Sequence, residues 1–372
     1  MNIGIAFGFL TADANIWNNE SFQRIIFLYL MLNKIEEYNV YLINFGIDIN
    51  NFSSDNKHYI SNIDVINWNN IKNTKLDIFI ESSLKLQNTI TTFLREQDTR
   101  LIRFETENNF IIDTEDIILN YNKGILYEDK YDEIWILDNN KNTNKDYLTE
   151  LYKVPVKILP FIWSPYFIEK EKELLKKYNL IFDYLPHEKK DITIFETVDA
   201  IDKLSFYPLF ILEKAYNLNK QLFKDKIGKI RMMNTIKYKN NSKFLSIVNK
   251  LNIKKDGICT FEGKFDRPVI FSQFTDIVLT TQLENNLNNL FFETLYGHYP
   301  LLHNTDNFKR NGYFYTNLNF DIAVEKLIHI IKNHDKSLID YYIIVNGILD
   351  NYSIDNSNII NIYKNILEKK TS

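Results

Sequence analysis

One stretch constrains the fold more tightly than any other: Thr275–Asn304, TDIVLTTQLENNLNNLFFETLYGHYPLLHN. Thr275–Leu279 is a short apolar run of the kind that makes a buried parallel strand, and Pro300–His303 reads as the next one. Between them Leu287, Leu290, Phe291, Thr294 and Leu295 recur at helical spacing, which predicts a helix with one apolar face. Asn285, Asn289 and Glu293 lie four apart and fall on one polar stripe of that helix. A strand, a polar loop and an Asn-rich helix start make an anion-binding corner, because free backbone N–H groups and the positive end of the helix dipole face a ligand there. Asn288 belongs to the same corner, and Glu293 is spaced to accept hydrogen bonds from a ribose diol. The plainer alternative is a surface helix with solvated side chains, and the abundance of Asn in this chain favours it.

The same alternation runs through the whole chain. Asn2–Phe7 (NIGIAF), a helix over Phe22–Leu32 and a strand over Tyr38–Phe45 form a parallel crossover unit. Further strands are expected at Leu76–Ile80, Arg100–Phe104, Glu133–Leu137 and Val156–Leu159, with helices over Leu84–Arg95 and Asn144–Tyr152. Pro155, Pro160, Pro165 and the charged helix Glu169–Lys177 then interrupt the pattern. A second series follows with strands at Ile192–Phe195, Gly228–Met232 and Gly257–Thr260, ahead of the two already described. Its helices are expected over Leu204–Tyr216, Ile322–Asn333, Lys336–Leu349 and Asn358–Glu368.

At 372 residues the chain suits two domains. The predicted class is α/β, with two Rossmann-like, doubly wound domains facing a cleft. The expected boundaries are 1–165 for the first domain, 166–190 for a connection, 191–350 for the second domain and 351–372 for a C-terminal helix. The long loop Gly8–Asn19, and the acids Glu81 and Glu105 at strand ends, stand where ligands gather in such sheets. Carboxylates there also cap helices.

Composition narrows the function. A net charge of −4 argues against broad binding to nucleic acid, and the basic run Lys220–Lys239 is the one local exception. Cys259 stands alone, so no intrachain disulfide forms and a reduced compartment fits. No apolar run reaches membrane-spanning length, and MNIGIAFGFL reads as a first strand, not a leader. A soluble, cytoplasmic protein is expected. There is no GxGxxG after the first strand, no GxxxxGK[ST], no CxxC, no HExxH and no GxSxG. There is also no DxD, the acidic pair by which many sugar-nucleotide enzymes hold a divalent metal, so no metal site and no cofactor are expected.

Several segments resemble known families. Broadly, the chain resembles glycosyltransferases of the GT-B type, whose retaining members carry a Glu–x7–Glu helix followed by a Gly-x-Pro strand. Glu293–Pro300 (ETLYGHYP) matches the second Glu and the Pro. Asn285 stands where the first Glu belongs, with Glu284 one residue further back. More closely, the chain resembles a bacterial family of unknown function and glycosyltransferase type. That resemblance is carried by Ile16–Leu28, Tyr131–Leu137, Pro160–Pro165, Glu284–Asn304 and Gly312–Tyr315. It extends to Phe195–Lys203 (FETVDAIDK), where Glu196 and Lys203 keep the family pattern, while Thr197 and Val198 replace Pro-Asn. Glu20 stands where the family favours Gly.

The resemblance implies a metal-independent glycosyltransferase with a nucleotide-diphosphate sugar, a UDP- or GDP-sugar, as donor. The second domain would hold the donor through Glu196, Lys203, Glu284, Asn285, Asn288, Asn289, Glu293, His303 and Asn304. The first would hold an acceptor that is a glycan, a protein or a small molecule. Lys203 would face the diphosphate. If the reaction inverts, a catalytic carboxylate is expected from a first-domain loop, with Asp13, Glu81 and Glu105 as candidates. Trp17 and Trp163 are candidates to floor the sugar site by stacking, or are core. Two alternatives stay open: a non-catalytic module that binds a sugar nucleotide or glycan, and a transferase acting on modified bases in DNA.

Overall fold

In the computed structural model, which describes residues 1–12, 14–82, 84–119, 131–196, 206–283, 287–316 and 318–369, the apolar runs form two parallel sheets. The first holds β1 (Asn2–Phe7), β2 (Asn39–Asn44), β3 (Val65–Asn67), β4 (Ile78–Glu81), β5 (Arg100–Glu105), β6 (Glu133–Leu137) and β7 (Val156–Leu159). Their order across the sheet is β3-β2-β1-β4-β5-β6-β7. β1 pairs with β2 from Asn2↔Asn39 to Phe7↔Asn44, and with β4 on its other side. Ile3, Ile5, Ala6 and Phe7 are wholly buried, as expected of a strand covered on both faces. That double burial is why the run is apolar throughout and not alternating.

The second sheet holds β8 (Lys190–Ile194), β9 (Ile227–Met232), β10 (Cys259–Phe261), β11 (Ile277–Leu279), β12 (Leu301–His303) and β13 (Tyr313–Phe314). Its order, β10-β9-β8-β11-β12-β13, repeats the doubly wound plan. Its core joins Ile192, Ile194, Ile230, Ile277, Leu279 and Leu302 of the sheet to Leu209 and Leu212 of the helix Phe206–Leu218. Two strands, β3 and β13, escape the apolar-run criterion because they are edge strands with no fully buried residue.

Contacts divide the chain into one unit of Met1–Lys170 with Asp350–Ser372, and another of Glu171–Leu349. The last stretch is therefore part of the first unit. Trp163 N–H donates to the Tyr352 carbonyl (2.8 Å), and Tyr363 Oη donates to the Pro160 carbonyl (2.8 Å). Arg100 Nη1 reaches the Leu367 carbonyl at 2.9 Å. Among the described residues, no helix is long and apolar enough to cross a membrane.

After β1 and β2 the chain turns through two glycines that touch. Gly8 has φ +142°, and a Cβ on it would lie 2.4 Å from the Gly46 nitrogen. A Cβ on Gly46 would lie 2.1 Å from the Phe9 carbonyl oxygen, a backbone atom that cannot swing aside. We expect Gly46→Ala to destabilise the first unit by about 2 kcal/mol through forced overpacking. A denaturant midpoint equal to that of the wild type would refute the close approach.

Candidate functional site

The order of the second sheet reverses between β8 and β11, so their carboxyl ends define its topological switch point, where ligands of such sheets bind. Glu196 follows β8 by two residues, and Thr280 and Gln282 follow β11. All three are buried. Glu196 Oε1 accepts a hydrogen bond from the Thr280 hydroxyl and another from Gln282 Nε2 (3.0 Å). Gln282 Nε2 also donates to Thr280 Oγ1 at 2.9 Å. The Thr281 hydroxyl bonds the hydroxyl of Tyr315, which lies just past β13. Side chains from the three segments after β8, β11 and β13 thus converge on one end of the sheet, in surroundings where an unmet polar group costs on the order of 1–3 kcal/mol.

Asn304 closes the array. Its Oδ1 accepts from the Gln282 backbone N–H (2.9 Å), and its Nδ2 donates to the Gln282 carbonyl (2.8 Å). This reciprocal pair imitates one more rung of the β11–β12 ladder after the backbone itself has ended. His303, the residue before it, is fully buried. Its Nε2 donates to the Asn311 carbonyl (2.8 Å) and its Nδ1 accepts from the Thr305 N–H (3.2 Å). Both ring nitrogens are therefore spent within the unit, and burial pushes the imidazole down to about 4.

The helix of the opening segment runs over Asn289–Tyr296 and begins later than the spacing of Asn285 predicts. Asn288 caps it: its side chain accepts from Phe291 N–H (3.2 Å). Leu287, one residue earlier, is already fully buried outside the helix. Asn289 and Glu293 remain on one stripe, four apart, both buried. Glu293 meets Arg267, which opens the helix Arg267–Phe274: Nε to Oε2 at 2.7 Å and Nη2 to Oε1 at 2.6 Å. This bidentate fork fixes the guanidinium above the start of its own helix. Sequence reasoning passed over Arg267. The available signal was the appearance of arginine, scarce in this Lys-rich chain, just ahead of a helix-starting proline.

In the first unit, Glu81 ends β4 and Glu105 ends β5, and both meet Arg103. Arg103 Nε donates to Glu105 Oε1 at 2.8 Å, and its Nη1 lies 3.4 Å from Glu81 Oε1. Burial raises the Glu81 carboxyl, and Arg103 opposes the rise. Trp17 and Trp163 are core side chains, 1% and 3% exposed, which leaves neither ring as the floor of an open site. The basic run is spread over a helix and a strand, where Arg231 pairs with Asp191 (2.6 Å) and Lys220 lies over the Tyr216 ring. Asp13, Lys203, Glu284 and Asn285 lie outside the described residues. Among the described residues, no three His, Cys, Asp or Glu side chains cluster as a metal site.

A family model described as "Protein of unknown function (DUF2827)" matches residues 3–367. No curated protein matches the chain by sequence. Among solved structures, a glycosyltransferase from Rickettsia africae ESF-5 is similar at 14% identity, with a TM-score of 0.54 over 99% of each chain. An E. coli trehalose-6-phosphate structure bound with UDP-2-fluoro glucose matches over the whole of both chains at 12% identity and a TM-score of 0.59. An alpha,alpha-trehalose 6-phosphate synthase from Burkholderia multivorans matches at 10% identity and a TM-score of 0.58, over 98% of this chain and 97% of that one. At such identities the likeness is one of fold, and the fold is the two-sheet architecture of GT-B glycosyltransferases.

Two measurements probe this geometry. Arg267→Met leaves the buried Glu293 carboxylate without its fork, and unfolding free energy should drop by about 2 kcal/mol, the Arg being partly exposed. A double variant that also carries Glu293→Leu should regain part of that loss. If Arg267→Met alone is neutral, the pair does not hold the helix. His303 supplies a pH test, since its unfolded pKa is near 6.5 and its folded value is depressed to about 4. The unfolded chain therefore binds the extra proton first, and stability is lost as pH falls below about 6.5. Between pH 7 and pH 5 this group should remove about 2 kcal/mol, a loss that His303→Gln should not show in denaturant titrations.

Proposed function

The chain belongs to the DUF2827 family, whose function is unknown, and from that premise and the geometry of the second sheet we propose that it is a metal-independent glycosyltransferase. The donor is a nucleotide-diphosphate sugar held by the second unit, and the acceptor is held by the first. One observation carries the reading: buried Glu196, Thr280 and Gln282 sit at the switch point of a doubly wound sheet, with half-buried Asn304 beside them. Such an array presents a rigid polar wall rather than a solvated one, as a site for a polyhydroxylated nucleotide requires. The capped helix start at Asn288–Asn289 adds oriented N–H groups that favour an anion beside it.

In the reaction, the bond between the sugar C1 and the oxygen of the β-phosphate breaks, and C1 bonds to an acceptor hydroxyl oxygen. The hydroxyl proton passes to a base, and the nucleoside diphosphate leaves with the bonding electrons. Negative charge grows on the departing diphosphate, so fixed N–H dipoles and a cation there lower the barrier without a metal. Lys203, seven residues after Glu196, is our candidate for that cation on grounds of sequence. Glu81 and Glu105 are bound to Arg103, so we assign the base to Asp13, again on sequence alone. A single cysteine, buried and raised to about 12 by its surroundings, fits a reduced cytoplasmic setting.

UDP and GDP binding measured by thermal shift in chelator checks the donor reading, since a ligand far above its Kd stabilises by a few kcal/mol. We expect binding by at least one diphosphate without metal, and a lower saturating rate of donor hydrolysis or transfer for Lys203→Ala. Binding that vanishes in chelator and returns with magnesium would overturn metal independence. An unchanged rate and affinity in the variant would remove Lys203 from the site.

A further inference from the structure

The carboxyl ends of β2 and β3, with the segment after β4, enclose a pocket of about 640 Å³ in the first unit. That volume suits a small ligand. Phe45 and Trp68 form its aromatic side, with ring centroids 5.3 Å apart and planes 32° from parallel. Phe93 abuts Trp68 edge-on at 5.9 Å, so the indole is held from two directions. Around the rings stand the side-chain amides of Asn67, Asn69, Asn70 and Gln87.

The amides divide into two kinds. Asn44, buried at the end of β2, is fully used: Nδ2 donates to the Ile47 carbonyl (2.9 Å) and to Asn67 Oδ1 (3.2 Å), while Oδ1 accepts from the Gly46 N–H (3.1 Å). It thereby fixes Asn67 in place. Asn67 Nδ2, Trp68 Nε1 and the side-chain amides of Asn69, Asn70 and Gln87 make no hydrogen bond to any described residue. The wall over residues 84–87 is also anchored, since Glu81 Oε1 accepts from the Leu86 N–H (3.2 Å) and Arg103 Nη1 lies 3.4 Å from the Leu84 carbonyl. Glu81 and Arg103 are thus positioning residues for this pocket.

Groups that both donate and accept, beside a rigid aromatic face, complement a ring bearing hydroxyls on its edge and C–H groups on its face. The charged lining is one residue of each sign, Asp48 and Lys85, which offers no cationic clamp for a phosphate. We propose that this pocket binds a neutral carbohydrate. Its role as acceptor, whose hydroxyl oxygen would take C1 of the donor sugar, rests on the glycosyltransferase reading. Sugar binding itself does not.

The test is saturation-transfer NMR on the full chain with glucose, galactose, mannose and N-acetylglucosamine, their 6-phosphates, and adenosine, with UDP and GDP titrated in parallel. We expect at least one neutral sugar to receive saturation at its ring protons. Trp68→Ala should weaken it roughly five- to tenfold, the worth of one aromatic face. The double variant Asn70→Ala/Gln87→Ala changes only exposed side chains and should weaken it comparably if Trp68→Ala fails to fold. UDP binding should survive both sets of changes. No saturation of any neutral sugar, equal affinity in the variants, or a preference for the 6-phosphates or adenosine each overturns the proposal. Failure of both UDP and GDP to bind counts against the donor reading and leaves the pocket standing.

Discussion

A parallel strand buried on both faces satisfies its backbone through its neighbours, but at its carboxyl end the ladder stops while the surroundings stay dry. The second sheet meets that constraint with side chains. Asn304 supplies both halves of an amide pair to Gln282, and Gln282 and Thr280 in turn converge on Glu196. A polar wall is thereby built where the strand order reverses. The first unit solves the same problem differently, with Arg103 drawn between the acids that end β4 and β5.

Much of this architecture was legible in the chain. β1 and β6 coincide with their apolar runs, because burial on both faces leaves a continuous signal. β3 and β13 were not legible: every residue of both is only half-buried, so neither leaves a buried apolar run. The start of the helix at Asn289 was misplaced because Asn at 285, 286, 288 and 289 offers several equivalent caps, and only packing of Leu287 chooses among them. Of the site, Glu196 and Asn304 were singled out through resemblance, while Thr280, Gln282 and Arg267 were not. Their roles come from contacts between segments distant in sequence, which a linear pattern does not encode.

The arginines show how the chain separates two uses of positive charge. Arg24, Arg95, Arg100, Arg103, Arg231 and Arg267 each pair with a carboxylate. Lysines such as Lys34, Lys153 and Lys309 also pair with carboxylates but at exposed positions, with Lys190, buried against Asp335 and Tyr184, as an exception. The planar fork of arginine serves where geometry must be fixed. For that reason an arginine outranks a lysine as a marker of ordered structure in this chain.

The return of Asp350–Ser372 to the first unit has a consequence for the order of events on the ribosome. Domains commonly fold as they emerge, amino-terminal first. Here the Glu171–Leu349 unit is continuous and has all its strands once it has left the exit tunnel, whereas the unit that starts the chain still lacks the partners of Trp163, Arg100 and Pro160. Of the two units, the one whose synthesis begins earlier is thus finished later, and its sheet waits, incompletely covered, while nearly half the chain is synthesised.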